Sequence, residues 1–118
     1  MCQPVVIAPE GEIDIERIGE FRAELTRAHG KAGGVVVDLS RVSFIDSSGL
    51  GALVDLHNQL PRADRRLAVV VPAGTAAAVL LNLSGLHTRM PIYRTREAAL
   101  AAADAGTQDV ASGRHRST

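Results

Sequence analysis

The stretch Phe44-Ile45-Asp46-Ser47-Ser48-Gly49-Leu50-Gly51 lies where the sequence pattern changes from that of a strand to that of a helix. Before it, the apolar run Val35-Val36-Val37-Asp38-Leu39 predicts a buried strand. After it, apolar residues recur at helical spacing, which predicts a second helix that is closed by Pro61. Backbone N–H groups at the start of a helix lack partners, and the helix dipole is positive there. A small polar loop at this junction can therefore cap the helix, bind an anion or be covalently modified.

The composition indicates one soluble domain. A chain of 118 residues is long enough for one hydrophobic core and too short for two domains. Its formal net charge is zero and it has three aromatic residues, whereas nucleic-acid binding uses basic surfaces and aromatic stacking. The start of the chain lacks the pattern of a signal peptide, and no apolar run approaches the length of a membrane span. We expect a cytoplasmic protein with no nucleic-acid or membrane partner.

Residue spacing gives no support to an enzymatic role. Cys2 is the only cysteine and the four histidines are scattered, so no set of metal ligands is recognisable. Neither Ser47 nor Ser48 has the flanking glycines of a nucleophile elbow. The only lysine, Lys31, is not part of a phosphate-binding loop motif. We therefore expect no catalytic residue, no metal and no cofactor.

Strand and helix patterns alternate along the chain. The predicted strands are Val5–Ala8, Val35–Leu39, Leu67–Val71 and Ile92-Tyr93. The first predicted helix runs from Ile15 with Asp14 as its N-cap, and the second follows the loop that contains Ser47. The third helix starts at Gly74-Thr75 and is capped by Ser84-Gly85, and the last covers 96–105 and is capped by Thr95. This alternation predicts an α/β fold with a mixed, mostly parallel sheet of four to five strands and about four helices packed mainly on one face. Residues 1–104 would form the domain, and the polar, aperiodic residues 105–118 a disordered tail.

The two adjacent hydroxyls have competing interpretations. Serine is a preferred N-cap residue, so one of Ser47 and Ser48 is expected to cap the second helix. Capping needs one hydroxyl, which would leave the other exposed beside Asp46. Asp46 would itself orient the hydroxyl, cap the loop or help a partner to recognise the site. Gly49 and Gly51 are expected to allow close packing in the first turn of the helix.

The segment Ile45–Gly51 resembles the signature of the STAS domain, specifically that of the bacterial anti-sigma factor antagonists. Gly11-Glu12-Ile13-Asp14 is similar to the Gly-Glu-Leu-Asp of that family. The later segments Leu83-Ser84-Gly85-Leu86, Pro91-Ile92-Tyr93 and Glu97-Ala98-Ala99-Leu100 resemble its C-terminal half. The resemblance extends from about residue 5 to residue 103, with the motifs in order, which makes it much more specific than the heptapeptide alone.

The resemblance implies a regulatory switch. Members of the family are phosphorylated at the serine directly after the aspartate, here Ser47, with Ser48 as the runner-up. The unmodified form binds an anti-sigma factor that is also a serine kinase, so that a sigma factor is released; phosphorylation ends the complex, and a PP2C-type phosphatase reverses it. The implied partner-binding residues are Asp14, Asp46, Ser47, Ser48, Gly49, Leu50 and Gly51. The alternative is a STAS adaptor subunit of a transport assembly, which would not be phosphorylated.

The beginning of the chain departs from the family pattern. The family has a further strand and turn before the strand that leads into Gly-Glu-Leu-Asp, and this chain begins too late for them. Either the true start lies upstream or the N-terminal edge strand is truncated. In the second case, Val5–Ala8 would be an unpaired sheet edge that favours self-association. We therefore expect a monomer or a weak homodimer.

Overall fold

The structure, a computed structural model, describes residues 4–29, 34–59 and 67–103. Its strands are β1 (Val5–Ile7), β2 (Gly11–Ile13), β3 (Val35–Asp38), β4 (Val42–Ile45), β5 (Leu67–Val70) and β6 (Ile92–Tyr93). Its helices are α1 (Ile18–His29), α2 (Ser47–Gln59), α3 (Ala76–Ser84) and α4 (96–103), with a 3-10 helix at Leu86–Thr88. The predicted tail at 105–118 and the helix end at Pro61 lie outside the described residues.

Parallel pairing holds the strands together. Four strands form one sheet in the order β1-β3-β5-β6, with Val5, Val35 and Leu67 in register at one end. Strands β2 and β4 form a separate two-stranded sheet. Every strand pair in the described part of the chain is parallel, which requires a crossover segment between the partners. This arrangement confirms the predicted α/β class with a mostly parallel sheet.

The strand that leads into α2 is β4, and not the predicted strand at Val35–Leu39. A turn follows β3 because Asp38 accepts hydrogen bonds from the backbone N–H, at 2.9 Å, and the hydroxyl of Ser40. The prediction that Val35–Leu39 runs directly into the loop before α2 is therefore wrong. The pattern hides β4 because Val42 and Ile45 are buried while the two residues between them are exposed, which breaks the period of two.

Helices cover both faces of the four-stranded sheet, with three on one face and one on the other. Helices α1, α2 and α3 pack on the face formed by Leu67, Val69 and Val71 of the β5 segment. Helix α4 alone packs on the opposite face, where Ala99 meets Val70. This confirms that the helices lie mainly on one face. None of the helices that the structure describes is long and apolar enough to cross a membrane.

Helix α3 starts after Thr75, as predicted, and has the predicted cap at Gly85. The hydroxyl of Thr75 accepts a hydrogen bond from the N–H of Ala78 at 3.2 Å. Gly85 adopts the left-handed conformation, with φ of 78°, that commonly ends a helix. Thr95 caps α4 in the same way as Thr75 caps α3, accepting from the N–H of Ala98 at 3.1 Å. The helix boundaries in the second half of the chain therefore follow from local sequence.

One ion pair links α4 to the turn between β3 and β4. Asp38 is 7% exposed and is the only buried charged residue among those the structure describes. Arg96 donates from Nε to Oδ2 of Asp38 at 2.8 Å, although the two residues are far apart in sequence. Burial raises the pKa of the Asp38 carboxyl, but the hydrogen bonds from Ser40 and Arg96 outweigh it and hold the pKa below its ordinary value. This pair was not identified in the sequence.

Strand β1 lies at one edge of the four-stranded sheet. No other described strand pairs with its free side. Within the described residues, Val5–Ile7 is therefore an edge strand, the position expected for Val5–Ala8 if the N-terminal edge strand is truncated. The weak self-association expected from such an edge stays a prediction.

Candidate functional site

The candidate site is the junction at which β4 ends and α2 begins. Asp46 stands between them, and its backbone N–H donates to the carbonyl of Ile13 in β2 at 3.1 Å. Its own carbonyl accepts the first helical hydrogen bond, from the N–H of Leu50 at 3.1 Å. The backbone of Asp46 is therefore held by β2 on one side and by α2 on the other.

The side chain of Asp46 is the N-cap of α2. Its Oδ1 accepts hydrogen bonds from the backbone N–H groups of Ser48, at 3.0 Å, and Gly49, at 3.3 Å. The same atom accepts from the hydroxyl of Ser48 at 2.5 Å. The expectation that Ser47 or Ser48 caps the helix is therefore wrong. The helix begins at Ser47, so Asp46 occupies the capping position, and its carboxylate satisfies two of the N–H groups that the helix leaves unpaired.

These hydrogen bonds keep Asp46 charged. The hydroxyl of Ser48 lowers the pKa of the Asp46 carboxyl, and the backbone N–H groups of Gly49, Ser48 and Ile15 lower it further against a smaller opposing effect of burial. A carboxylate at a helix N-terminus is also stabilised by the helix dipole. Asp46 is therefore an anion at neutral pH, directly beside Ser47.

The two serine hydroxyls differ in what they contact. Ser48 is half-buried and donates its hydroxyl to Asp46. Ser47 is exposed, and within residues 4–29, 34–59 and 67–103 its hydroxyl makes no hydrogen bond. One hydroxyl is thus engaged in holding the start of the helix, whereas the other faces solvent at the first helical position.

Gly49 allows close packing of α2 on the two-stranded sheet, as predicted. A Cβ atom at position 49 would lie 2.6 Å from Cγ1 of Ile45 and 2.9 Å from Cγ2 of Ile13, which is closer than carbon atoms can approach. At position 51 the nearest atom would be Nη2 of Arg22, at 4.0 Å. The close-packing prediction is therefore confirmed for Gly49 and wrong for Gly51.

Asp14 lies next to this junction because it follows Ile13, whose carbonyl binds Asp46. Its Oδ1 accepts hydrogen bonds from the backbone N–H groups of Glu16 and Arg17, both at 3.1 Å. Asp14 therefore caps the turn at residues 15–17, and the prediction that it is the N-cap of the first helix is wrong. Because residues 15–17 form a turn, α1 begins at Ile18 and not at Ile15 as the helical pattern predicts.

Two exposed large apolar residues lie near the junction, one just after β2 and one in β4, and neither was identified as a site residue in the sequence. Ile15 is 71% exposed, and its backbone N–H is among the groups that lower the pKa of the Asp46 carboxyl. Phe44 is 47% exposed and lies two residues before Asp46 in the chain. An exposed phenylalanine so close to a candidate polar site is the sequence signal that could have found this surface. We name Asp14, Ile15, Phe44, Asp46 and Ser47 the Ser47 surface.

Two of the predicted site residues, Gly49 and Leu50, are buried, whereas Ser48 and Gly51 are half-buried. Leu50 is 5% exposed and packs in the core, and Gly49 is also buried, so neither presents a side chain to a partner. The described part of the chain contains no group of three His, Cys, Asp or Glu side chains placed to hold a metal ion. The chemistry at the junction therefore consists of a free hydroxyl, an adjacent carboxylate and exposed apolar surface.

Comparison with known proteins identifies the family of this chain. The STAS domain family model matches residues 2–99. An anti-sigma F factor antagonist of Paenibacillus polymyxa is 28% identical over 91 residues, which are 75% of this chain and 77% of that protein. The crystal structure of an anti-sigma factor antagonist from Mycobacterium paratuberculosis superposes with a TM-score of 0.80 at 28% identity, covering 87% of each chain. The Bacillus cell fate determinant SpoIIAA in its phosphorylated form superposes with a TM-score of 0.58 at 27% identity, covering 85% of this chain and 90% of that one. The chain belongs to the STAS domain family.

Proposed function

We propose that this protein is an anti-sigma factor antagonist that is controlled by phosphorylation of Ser47. In the unmodified form it binds an anti-sigma factor that is also a serine kinase, and the sigma factor is released. The kinase then uses ATP to phosphorylate Ser47, which ends the complex, and a PP2C-type phosphatase restores the active form. The protein is thus a switch and not an enzyme. The observation that carries the proposal is the free, exposed hydroxyl of Ser47 beside the capping carboxylate of Asp46.

Accessibility favours Ser47 over Ser48 as the phosphorylated residue. A kinase has to reach the hydroxyl oxygen, and Ser47 is exposed at the first position of α2. The oxygen of Ser48 is 2.5 Å from Oδ1 of Asp46. A phosphate on Ser48 would remove the donor in that hydrogen bond and place its negative charge against a carboxylate.

The folded domain tolerates a phosphate on Ser47 because Ser47 does not cap the helix. The capping hydrogen bonds from Ser48 and Gly49 to Asp46 do not involve the hydroxyl of Ser47. A phosphoryl group adds about −1.5 to −2 charges at neutral pH. The N-terminal dipole of α2 offsets about 0.3–1 kcal/mol of the repulsion that this charge meets from Asp46.

The same charge opposes binding when a partner covers it. Two like charges about 4 Å apart repel by about 4 kcal/mol at an effective dielectric constant of about 20. Since about 1.4 kcal/mol corresponds to a tenfold change in affinity, a phosphate facing Asp46 inside an interface weakens binding by about a hundredfold or more. A local change of charge therefore suffices to end the complex without any refolding of the domain.

The Ser47 surface offers a partner apolar side chains as well as the hydroxyl of Ser47. Ile15 and Phe44 expose large apolar side chains next to Asp46, and buried aromatic anchors contribute much of the energy in protein interfaces. A partner that covers Ile15 and Phe44 also excludes water from Ser47, which is the condition under which a phosphate becomes costly. Asp14 is the second acidic residue on this surface, and Gly49 and Leu50 can contribute only backbone atoms.

Phosphorylation by the cognate anti-sigma kinase tests the modified residue. The full-length protein is incubated with kinase and ATP, and its intact mass is measured. We expect one phosphate on the wild type and on Ser48→Ala, and none on Ser47→Ala. Equal modification of Ser47→Ala and the wild type, or loss of modification in Ser48→Ala alone, contradicts the assignment to Ser47.

Affinity for the same kinase tests the charge mechanism. We expect Ser47→Asp to weaken binding by about tenfold or more. The matched control is Asn58→Asp, which adds the same charge on an exposed position of α2, about 16 Å further along the helix axis and beyond the screening length. An unchanged affinity for Ser47→Asp, or an equal loss in both variants, contradicts the mechanism. Binding to a transporter ATPase with no phosphate added by any serine kinase would favour the adaptor alternative.

A further inference from the structure

A second candidate site lies at the carboxyl ends of β5 and β6. It is a cavity of about 230 Å³ between these strand ends, α3 and the 3-10 helix. Val71, which directly follows β5, and Arg94, which directly follows β6, both line it. Neither the Ser47 surface nor the proposed phosphorylation involves these residues.

The topology of the sheet creates this cavity. Strands β5 and β6 are parallel neighbours, so their carboxyl ends lie side by side. The chain leaves β5 toward α3 on one face of the sheet and leaves β6 toward α4 on the opposite face. In open α/β sheets, ligands bind outside the carboxyl ends of the strands. The cavity therefore lies at the end of the sheet at which ligands bind in α/β folds.

The floor of the cavity is apolar. Val71 and Leu81 are buried core residues, and Ile92 beside them is half-buried. The volume equals that of about eight water molecules, below the range of about 300–1,000 Å³ that holds a drug-sized ligand. The floor therefore suits the apolar body of a small molecule and not a nucleotide or a peptide.

The rim of the cavity is polar and positively charged. Arg94, Asn82 and His87 line it, and no Asp or Glu does. Within the described residues Arg94 forms no ion pair, and guanidinium groups bind carboxylates through two parallel hydrogen bonds. Nδ1 of His87 lies 3.3 Å from the carbonyl oxygen of Leu81, which can only accept, so Nδ1 donates and this hydrogen bond holds the ring at the rim.

We propose that this cavity binds a small organic acid, whose apolar body lies on the floor formed by Val71, Leu81 and Ile92 and whose carboxylate pairs with Arg94. The charge of the rim is complementary to that of the ligand, and the side-chain NH₂ group of Asn82 can donate a further hydrogen bond to the carboxylate. The proposal is independent of the phosphorylation of Ser47, since no residue of the Ser47 surface lines the cavity.

Titration of the full-length, ¹⁵N-labelled protein with hexanoate tests the proposal. We expect saturable shifts in the amide signals of Val71, Ala78, Asn82 and Arg94. The neutral analogue 1-hexanol should bind at least about tenfold more weakly, because it lacks the charge that Arg94 recognises. Absence of saturable shifts with hexanoate, or equal affinities for hexanoate and 1-hexanol, overturns the proposal.

Two variants with one control locate the site. Arg94→Gln should weaken hexanoate binding by about tenfold or more, whereas Arg89→Gln, which removes an exposed charge that does not line the cavity, should leave it unchanged. Ala78→Leu, which extends a side chain into the cavity, should abolish binding while the remaining amide signals keep the dispersion of a folded protein. Wild-type affinity in Arg94→Gln or in Ala78→Leu overturns the assignment.

Discussion

Substitution of Gly49 and Gly51 by alanine should change stability in opposite directions. Both glycines lie in the first turns of α2, and alanine is favoured over glycine in a helix by about 0.5–1 kcal/mol. By helix propensity alone, both substitutions would stabilise the protein equally. The structure predicts otherwise, because the two positions differ in the space that they offer to a methyl group.

At position 49 a new methyl group would overlap with core side chains. It would lie 2.6 Å from Cγ1 of Ile45 and 2.9 Å from Cγ2 of Ile13, and both isoleucines are only 3% exposed. Forcing an extra methyl group into such a core costs about 1–3 kcal/mol. After the gain in helix propensity, Gly49→Ala should destabilise the protein by up to about 2.5 kcal/mol.

At position 51 the methyl group has room, since the nearest atom is the end of the flexible Arg22 side chain at 4.0 Å. Gly51→Ala should therefore stabilise the protein by up to about 1 kcal/mol. The measurement is urea unfolding followed by far-UV circular dichroism, with the free energies of unfolding of both variants compared with the wild type. Equal stability changes, or a Gly49→Ala variant more stable than the wild type, would refute the reasoning.

Two further predictions concern the aspartates that end β3 and β4. Asp46→Ala removes the N-cap and should lower the free energy of unfolding by about 1 kcal/mol. Asp46→Asn keeps a capping oxygen and should retain most of the wild-type stability. Equal urea midpoints for the alanine variant and the wild type would exclude the capping role. The pKa of Asp38 is lower in the folded protein than the ordinary value of about 3.9, so its carboxylate stabilises the fold above that pH, and this contribution is lost as the pH falls through the folded-state pKa. The difference in unfolding free energy between the wild type and Asp38→Asn should therefore shrink in acid, and a difference that does not vary with pH would contradict the ion pair with Arg96.

Local sequence predicted most of the helices and the strands of the four-stranded sheet, because their signals are local. Thr75, Gly85 and Thr95 cap helices through hydrogen bonds or backbone conformations that involve only their near neighbours. Strand β4 was missed because only its first and last residues are buried, a pattern that two-residue alternation does not describe. The early prediction of a helix at Ile15 failed for a similar reason, since a turn with exposed residues separates Asp14 from α1.

The candidate site was located by sequence, but the roles within it were not. Serine and aspartate are comparable N-cap residues, so the choice between them depends on where α2 begins to within one residue. That start is set by the hydrogen bond between Asp46 and Ile13, which are far apart in the chain. The ion pair of Asp38 with Arg96 also joins distant segments, and no local pattern reveals it.

The parallel pairing of the strands has a consequence for folding during synthesis. No described strand pairs with a partner through a short hairpin. Each pair can therefore form only after the segment between its two strands has left the ribosome. The ribosome releases the amino half, with β1 and β3, before β5, the strand that lies beside β3 in the finished sheet. A two-stranded ribbon is only marginally stable in water, and the roughly thirty residues between the starts of β3 and β5 take about two to six seconds to translate. For that interval the apolar Val35-Val36-Val37 segment is exposed as nascent chain, which makes it the part of this protein on which a ribosome-associated chaperone would act.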